Sequence, residues 1–270
     1  MLRLVTALHA EARPLIAHWR LKPVADHDAF KVFARDDVAL IVSGIGKAAS
    51  AAACAYLHLA SGGEANAIWL NVGVGGSGAF PVGTAVIAHK IRDRATGTAW
   101  YPPLVVDLPL PTGEVLTVDA VERGYAENVV YEMEASGYYA TANRFATAEL
   151  IHSVKVISDG PETVIEEIDA RRLTQLIEQH VESLETLIEA LADPAAELRG
   201  LGVSETLALL TESCRFTSTE RHQLRRSLER WNALAPGEPL PMDELLALGR
   251  GRDILTKLRK RLGERTPVVG

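Results

Sequence analysis

The chain has 270 residues, 47% of them apolar, and a net charge of −7. That is the length and composition of a globular protein with a sizeable core, either one large domain or one domain with an appendage. No apolar run approaches the roughly 18–20 residues that a bilayer-spanning helix needs, so no membrane-spanning helix is expected. The charge is uneven. Arg215–Gly270 holds 12 Lys/Arg against 7 Asp/Glu, whereas the first 214 residues hold 16 against 28. An acidic body with a basic tail is a partner signal, although a solvated Arg-rich helix face produces the same counts. Cys54 and Cys214 are the only cysteines. They give no disulfide framework and leave a single bridge open. The start, Met1-Leu2-Arg3-Leu4-Val5, lacks the charged region and long apolar stretch of a secretory leader, and a cytoplasmic protein is expected.

Taken in order, Leu2–Leu8 reads as a buried strand and Ala10–Trp19 has helical spacing at Ala12, Leu15, Ile16 and Trp19. Phe30–Ala34 and Val38–Val42 are strand-like runs around the turn Arg35-Asp36-Asp37. Gly46–Leu59 is Ala-rich and predicts a helix. Ala67–Val72 predicts a strand ended by a glycine-rich turn. Val82–Ile91, Val115–Val121 and Ser153–Ile157 are further strands. Glu132–Phe145 and Thr163–Leu191 are helices, the latter long and amphipathic. Alternating strands and helices predict an α/β fold, a three-layer αβα sandwich with a central mixed twisted sheet. After Asp193-Pro194 the character changes: residues 203–262 contain helical stretches and no convincing strand. The expected organisation is a catalytic domain over 1–194 and a small helical C-terminal appendage over 195–270.

Several motifs fail on context. Gly73-Val74-Gly75-Gly76-Ser77-Gly78 matches G-x-G-x-x-G after a strand, but no helix follows to face a pyrophosphate. A glycine-rich turn can still aim backbone N–H groups at an anion, or be a plain tight turn. Gly46-Lys47 is not a P-loop, because Ile41 and Ala48 stand where Gly and Ser/Thr belong. The eight histidines form no metal-ligand spacing, and there is no Gly-x-Ser-x-Gly elbow. No metal and no cofactor are expected.

What remains is an ordered set of segments, each following a strand. They are Ala7-Leu8-His9-Ala10-Glu11, Ser43-Gly44-Ile45-Gly46-Lys47, Asn71-Val72-Gly73-Val74-Gly75-Gly76, Glu132-Met133-Glu134-Ala135 and Ile157-Ser158-Asp159. Ligands of open α/β sheets gather beyond the carboxyl ends of the strands, where Glu11, Glu134 and Asp159 can share one cleft.

Across roughly residues 1–192 this set resembles the nucleoside phosphorylase superfamily, most closely its methylthioadenosine/S-adenosylhomocysteine nucleosidase branch. Ser43–Lys47, Glu132–Ala135 and Ile157–Asp159 match that branch's motifs in its order. The resemblance implies cleavage of a purine N-glycosidic bond through an oxocarbenium-like sugar. It assigns Asp159 as the acid that protonates the leaving base at N7, beside Ser158. It places Glu134 on the ribose hydroxyls and Met133 against the sugar, with Glu132 next to them. Ile45, Gly73, Val74 and Gly75 would line the ribosyl and nucleophile side, and Ala120 and Val121 the base side. Glu11 would help activate water. The residues alone also allow Asp159 to cap a helix, since Asp159-Gly160-Pro161-Glu162 has capping-box spacing, and allow Glu132–Glu134 simply to begin a helix.

The sequence departs from the pattern in three places. The glycine loop reads Gly-Val-Gly-Gly instead of Gly-Ser-Ala-Gly. The stretch Tyr101–Glu114 is too short and proline-rich for the helix the nucleosidases carry there, and fits a strand-turn-strand or extended loop. Asp119-Ala120-Val121 has no aromatic residue for stacking a base, a role Tyr125 can fill. Three functions follow. One is a nucleosidase acting on an adenosine-type nucleoside. The second is a phosphorylase with phosphate as co-substrate, including one that cleaves an adenosyl-linked metabolite; Arg13, Arg92 and Arg94 offer no phosphate site. The third is a non-catalytic nucleoside-binding regulatory module whose helical tail engages a partner. The resemblance implies a homo-oligomer, with a dimer favoured. Nucleic-acid contact through Arg221, Arg225, Arg226 and Arg230 lacks the interleaved aromatics that stack bases.

Overall fold

The structure, a computed structural model, describes residues 1–24, 29–63, 65–107, 110–162, 169–200, 203–235 and 238–265. The chain divides into two compact units, Met1–Ala195 and Ala196–Gly270.

The first unit is built on one mixed sheet. Strand β1 (Leu2–Thr6) is buried along its whole length and runs parallel to both β4 (Val38–Val42) and β5 (Ile68–Ser77). An interior parallel strand is covered on both faces, which is why Leu2-Arg3-Leu4-Val5-Thr6 reads as a near-continuous apolar run. Beyond β4 lie β3 (Lys31–Arg35) and the short β2 (Lys22–Pro23), both antiparallel. On the other side, β5 pairs in parallel with β10 (Ile151–Asp159). Strand β10 pairs with β6 (Ala85–Asp93), β6 with β8 (Thr112–Thr117), β8 with β9 (Val130–Glu132), and β9 returns to β5. Those five strands therefore close on themselves, while β7 (Ala99–Trp100) is appended to β6.

Helix α2 (Lys47–Ala60) packs on α3 (Ala135–Ala142), and α1 (His9–His18) packs on α4 (Ala170–Glu178) and α5 (Val181–Ala190); α1, α2, α3 and α4 lie against the sheet. Gly137 permits the close approach of α3 to α2, because a Cβ there would strike the Lys47 backbone carbonyl.

Some local expectations are corrected. Gly73–Gly76 is not a turn: β5 runs straight through it, held by β10 on one edge and β9 on the other. Glu132 ends a strand, and the helix begins only at Ala135. The expected long helix is two helices parted at Gln179-His180, where His180 Nε2 meets the Gly83 carbonyl at 2.7 Å; its first residues, 163–168, lie outside the described residues. The span after Tyr101 is extended loop up to β8, apart from residues 108–109, also outside the described residues.

Helix α6 (Ala192–Gly200) crosses the division between the units. The second unit contains α7 (Val203–Ser213), α8 (Ser218–Leu234), α9 (Met242–Leu246) and α10 (Gly251–Arg265). Its core is Leu210, Leu224, Leu228, Trp231, Leu245, Ile254, Leu255 and Leu258. Helix α8 opens with a capping box between Thr217 and Glu220, which satisfies two end donors reciprocally. No helix among the described residues is long and apolar enough to cross a membrane. Cys54 and Cys214 are free and buried.

Candidate active site

A cavity of about 260 Å³ opens at the carboxyl ends of β1, β5 and β10. Its floor is Val74-Gly75-Gly76 of β5, nearly bare backbone.

At one end stands Glu11, on the first turn of α1 and 3% exposed. Its Oε2 accepts the N–H groups of Ala7 (3.0 Å) and Leu8 (2.8 Å), and its Oε1 accepts that of Val74 (3.0 Å). The carboxylate thus ties the helix start to the floor of the cleft. Gly73 leaves room for it, since a Cβ there would lie 2.9 Å from Oε1. Burial pushes the Glu11 carboxyl above the ordinary range, against the opposing pull of Lys155 and of the three N–H donors.

Beside Glu11 lies a buried charge cluster. Lys155 Nζ is 2.9 Å from Glu132 Oε2 and 3.9 Å from Glu134 Oε2. Glu132 Oε2 also accepts the N–H groups of Glu134 (2.9 Å) and Ala135 (2.8 Å), so it serves two donors at the start of α3. Its other oxygen accepts the Thr117 hydroxyl at 2.6 Å. Glu134 Oε1 accepts the Gly46 N–H at 2.8 Å, at the start of α2. Burial lifts Glu134 to about 7, with Glu132 and Glu11 adding to the rise and Lys155 and Gly46 opposing it. Burial alone would depress the Lys155 ammonium, but Glu132, Glu134 and Glu11 outweigh it and hold the lysine above its ordinary value.

At the other end is Asp159. A register shift between Ile157 and Asp159 breaks the β10–β5 ladder and leaves Asp159 opposite Gly76. Such a bulge re-aims a side chain at a strand end. Asp159 Oδ1 accepts the Ser158 hydroxyl and Oδ2 accepts the Tyr125 hydroxyl. Asp159 caps no described helix; α4 is capped by Asp169, whose Oδ1 accepts the Arg172 N–H at 2.8 Å.

Of the residues singled out from sequence, Glu11, Ile45, Val74, Gly75, Val121, Glu132, Met133, Glu134, Ser158 and Asp159 line this one cavity. Gly73 lies beneath it, against Glu11, and Ala120 is exposed and outside the lining. Sequence reasoning missed Lys155, Glu122, Tyr131 and Leu173. Arg92 is engaged by Glu114 and Glu127, and Arg94 by Glu122, while Arg13 is exposed elsewhere. Among the described residues the lining contains five carboxylates, Glu11, Glu122, Glu132, Glu134 and Asp159, and no Lys, Arg or His. No group of three His, Cys, Asp or Glu among the described residues is placed to hold a metal ion.

Such a cleft on such a sheet is the fold of the nucleoside phosphorylases and nucleosidases, and solved structures bear this out. The chain is similar to the 5′-methylthioadenosine nucleosidase of Arabidopsis thaliana, with a TM-score of 0.58 and 12% identity over 71% of this chain and 95% of that one. It is similar to the 5′-methylthioadenosine/S-adenosylhomocysteine nucleosidase of Helicobacter pylori, solved with butyl-thio-DADMe-Immucillin-A (TM-score 0.57, 13% identity, 70% and 97% covered). The corresponding enzyme of S. pneumoniae, solved with a transition-state inhibitor, gives a TM-score of 0.54 and 20% identity over 70% and 99%. At these identities the likeness establishes the fold. No family model and no curated protein matches the sequence.

Proposed function

We propose that this chain is a nucleosidase that hydrolyses the N-glycosidic bond of an adenosine-type purine nucleoside. One observation carries this: among the described residues the cleft gathers five carboxylates above a bare strand and is lined by no Lys, Arg or His. A phosphate nucleophile needs arginine or lysine to bind and would be repelled here; water would not. The structural neighbours, 5′-methylthioadenosine/S-adenosylhomocysteine nucleosidases solved with butyl-thio-DADMe-Immucillin-A and with a transition-state inhibitor, support the same substrate class.

The chemistry follows from the two ends. Glu11 contacts β5 at Val74 and Asp159 meets it at Gly76, two residues of extended chain or roughly 7 Å along the strand. A sugar lies between them. Asp159 gives its proton to the leaving purine, and Glu11, its carboxyl raised by burial, takes one from the attacking water. Glu134 accepts hydrogen bonds from the ribose hydroxyls, Met133 packs against the sugar, and Ser158 holds Asp159. Lys155 keeps the carboxylate cluster together from below. Leu8, Ile45, Val121 and Leu173 give the cleft apolar walls that suit an uncharged substituent on the nucleoside.

The test is incubation with adenosine-type nucleosides, with and without phosphate, followed by chromatography for free base. Base release independent of phosphate is expected, and Asp159→Asn should lower kcat by about 10²–10⁴-fold. A ribose 1-phosphate product would make the enzyme a phosphorylase. Tight binding with no base release would make it a regulatory module.

A further inference from the structure

The loop between β8 and β9 is folded on itself. The Glu122 carboxylate accepts the N–H groups of Arg123 (3.0 Å) and Gly124 (2.8 Å) and is anchored by Arg94 at 2.7 Å. The next residue, Tyr125, has φ of +44°, a backbone state that a bulky side chain rarely adopts and that marks functional sites when it persists. This conformation lays the ring over the backbone of Gly76: a Cβ there would be 2.7 Å from Tyr125 Cε1 and 3.1 Å from its hydroxyl. Tyr131 steadies the ring edge-on at 5.8 Å. The phenol hydroxyl ends on Asp159 Oδ2, while Oδ1 is occupied by Ser158.

We propose that Tyr125 is a positioning residue whose hydroxyl holds Asp159 in the empty cleft and is exchanged for the leaving base when substrate binds. The inference rests on Asp159 being the acid of the proposed reaction. For Oδ2 to give a proton to the base, Asp159 takes one from solvent once the phenol has left, and that proton travels along the line that the phenol oxygen now fills, so the two partners take turns on that oxygen. Burial, together with the charge of Asp159, holds the phenol well above ordinary tyrosine, so it stays a neutral donor; Glu122 reinforces this and Arg123 opposes it. The carboxylates Glu11, Glu132 and Glu134, and Lys155 beneath them, make no hydrogen bond to this hydroxyl among the described residues.

The experiment compares wild type, Tyr125→Phe and Asp159→Asn on an adenosine-type nucleoside. It also follows the Tyr125 ring carbon by NMR on tyrosine-labelled protein as adenine is added, with Tyr125→Phe providing the assignment. Exchange predicts that Tyr125→Phe lowers KM by about tenfold, the worth of one charge-assisted hydrogen bond no longer displaced, with kcat held within about twofold. Adenine should shift the Tyr125 resonance in wild type. A fall in kcat with KM unmoved overturns the exchange, because it means that Tyr125 stays on Asp159 through turnover; so does no change in either constant. Base release with an unshifted resonance overturns the exchange alone. No base release from any nucleoside overturns the hydrolase function, and with it the acid role of Asp159 on which the exchange rests.

Discussion

Lys155 Nζ lies 2.9 Å from Glu132 Oε2, with the lysine side chain 1% exposed and the glutamate side chain 0% exposed. One ammonium therefore serves a cluster in which Glu132, Glu134 and Glu11 all converge. Removing one partner of a buried pair is far costlier than the pair's net worth, because a charge is left with no solvent to turn to. Lys155→Met should cost about 3–5 kcal/mol in denaturant unfolding, and adding Glu132→Gln to it should restore part of that loss.

Glu134 gives stability a pH dependence of definite sign. Its carboxyl is lifted to about 7 in the folded protein, chiefly by burial, from an ordinary 4.5. Between those values the folded chain keeps a proton that the unfolded chain has lost. Stability therefore falls as pH rises through this window and levels off above it. Glu134→Gln retains an oxygen for the Gly46 N–H but carries no proton to lose. The gap between wild type and variant should shift by about 3 kcal/mol in favour of the variant between acid and about pH 8, read from urea melts.

Gly76 lies against the contact between Asp159 and Tyr125. A methyl group at this position meets both the Asp159 carboxylate and the Tyr125 ring. Gly76→Ala should cost about 1–3 kcal/mol of stability from overpacking. Its effect on catalysis should be larger, about 10²-fold in kcat/KM, because it displaces Asp159, the acid of the proposed reaction. Steady-state kinetics beside a thermal melt separate the two effects.

Trp231 is the largest side chain in the core of the second unit, 1% exposed, with its Nε1 donating to the Glu238 carbonyl at 3.1 Å. Trp231→Ala should destabilise that unit by about 3–5 kcal/mol. Limited proteolysis should then cut within residues 196–265 while a fragment of about 195 residues persists.

Much of this was legible in the sequence because local pattern and tertiary role coincide. Val38–Val42 is an apolar run bounded by a turn, and it is a strand. Ala-rich Lys47–Ala60 is a helix. Glu134, Met133 and Asp159 reach one cleft because each stands at or just past the end of a strand. The failures lie where a distant partner decides. Gly73–Gly76 has no local strand propensity, and only pairing with β10 and β9 makes it extended. Glu132 looks like a helical residue, but its side chain serves the helix from the strand before it. Ala120 was expected on the base side. Asp119 is drawn to Lys47 at 2.9 Å, and Ala120 beside it is left exposed, so that Val121 and Tyr125 supply the wall instead. Lys155 gave one signal, a single cation inside the apolar run Ser153–Ile157, and its meaning depended on three carboxylates brought in from other segments.

The bare floor of the cleft constrains how this protein can change its substrate. At Gly73, Gly75 and Gly76 any side chain would run into Glu11, into β9, or into Tyr125 and Asp159. Mutation therefore cannot remodel the floor without displacing Glu11, β9 or Asp159, the first and last being the base and acid of the proposed reaction. The adjustable positions are the rim residues Ile45 and Val121, 58% and 55% exposed, together with Leu173 on α4. A library confined to those three positions should move preference among nucleosides while preserving chemistry; one aimed at the glycines should yield inactive protein.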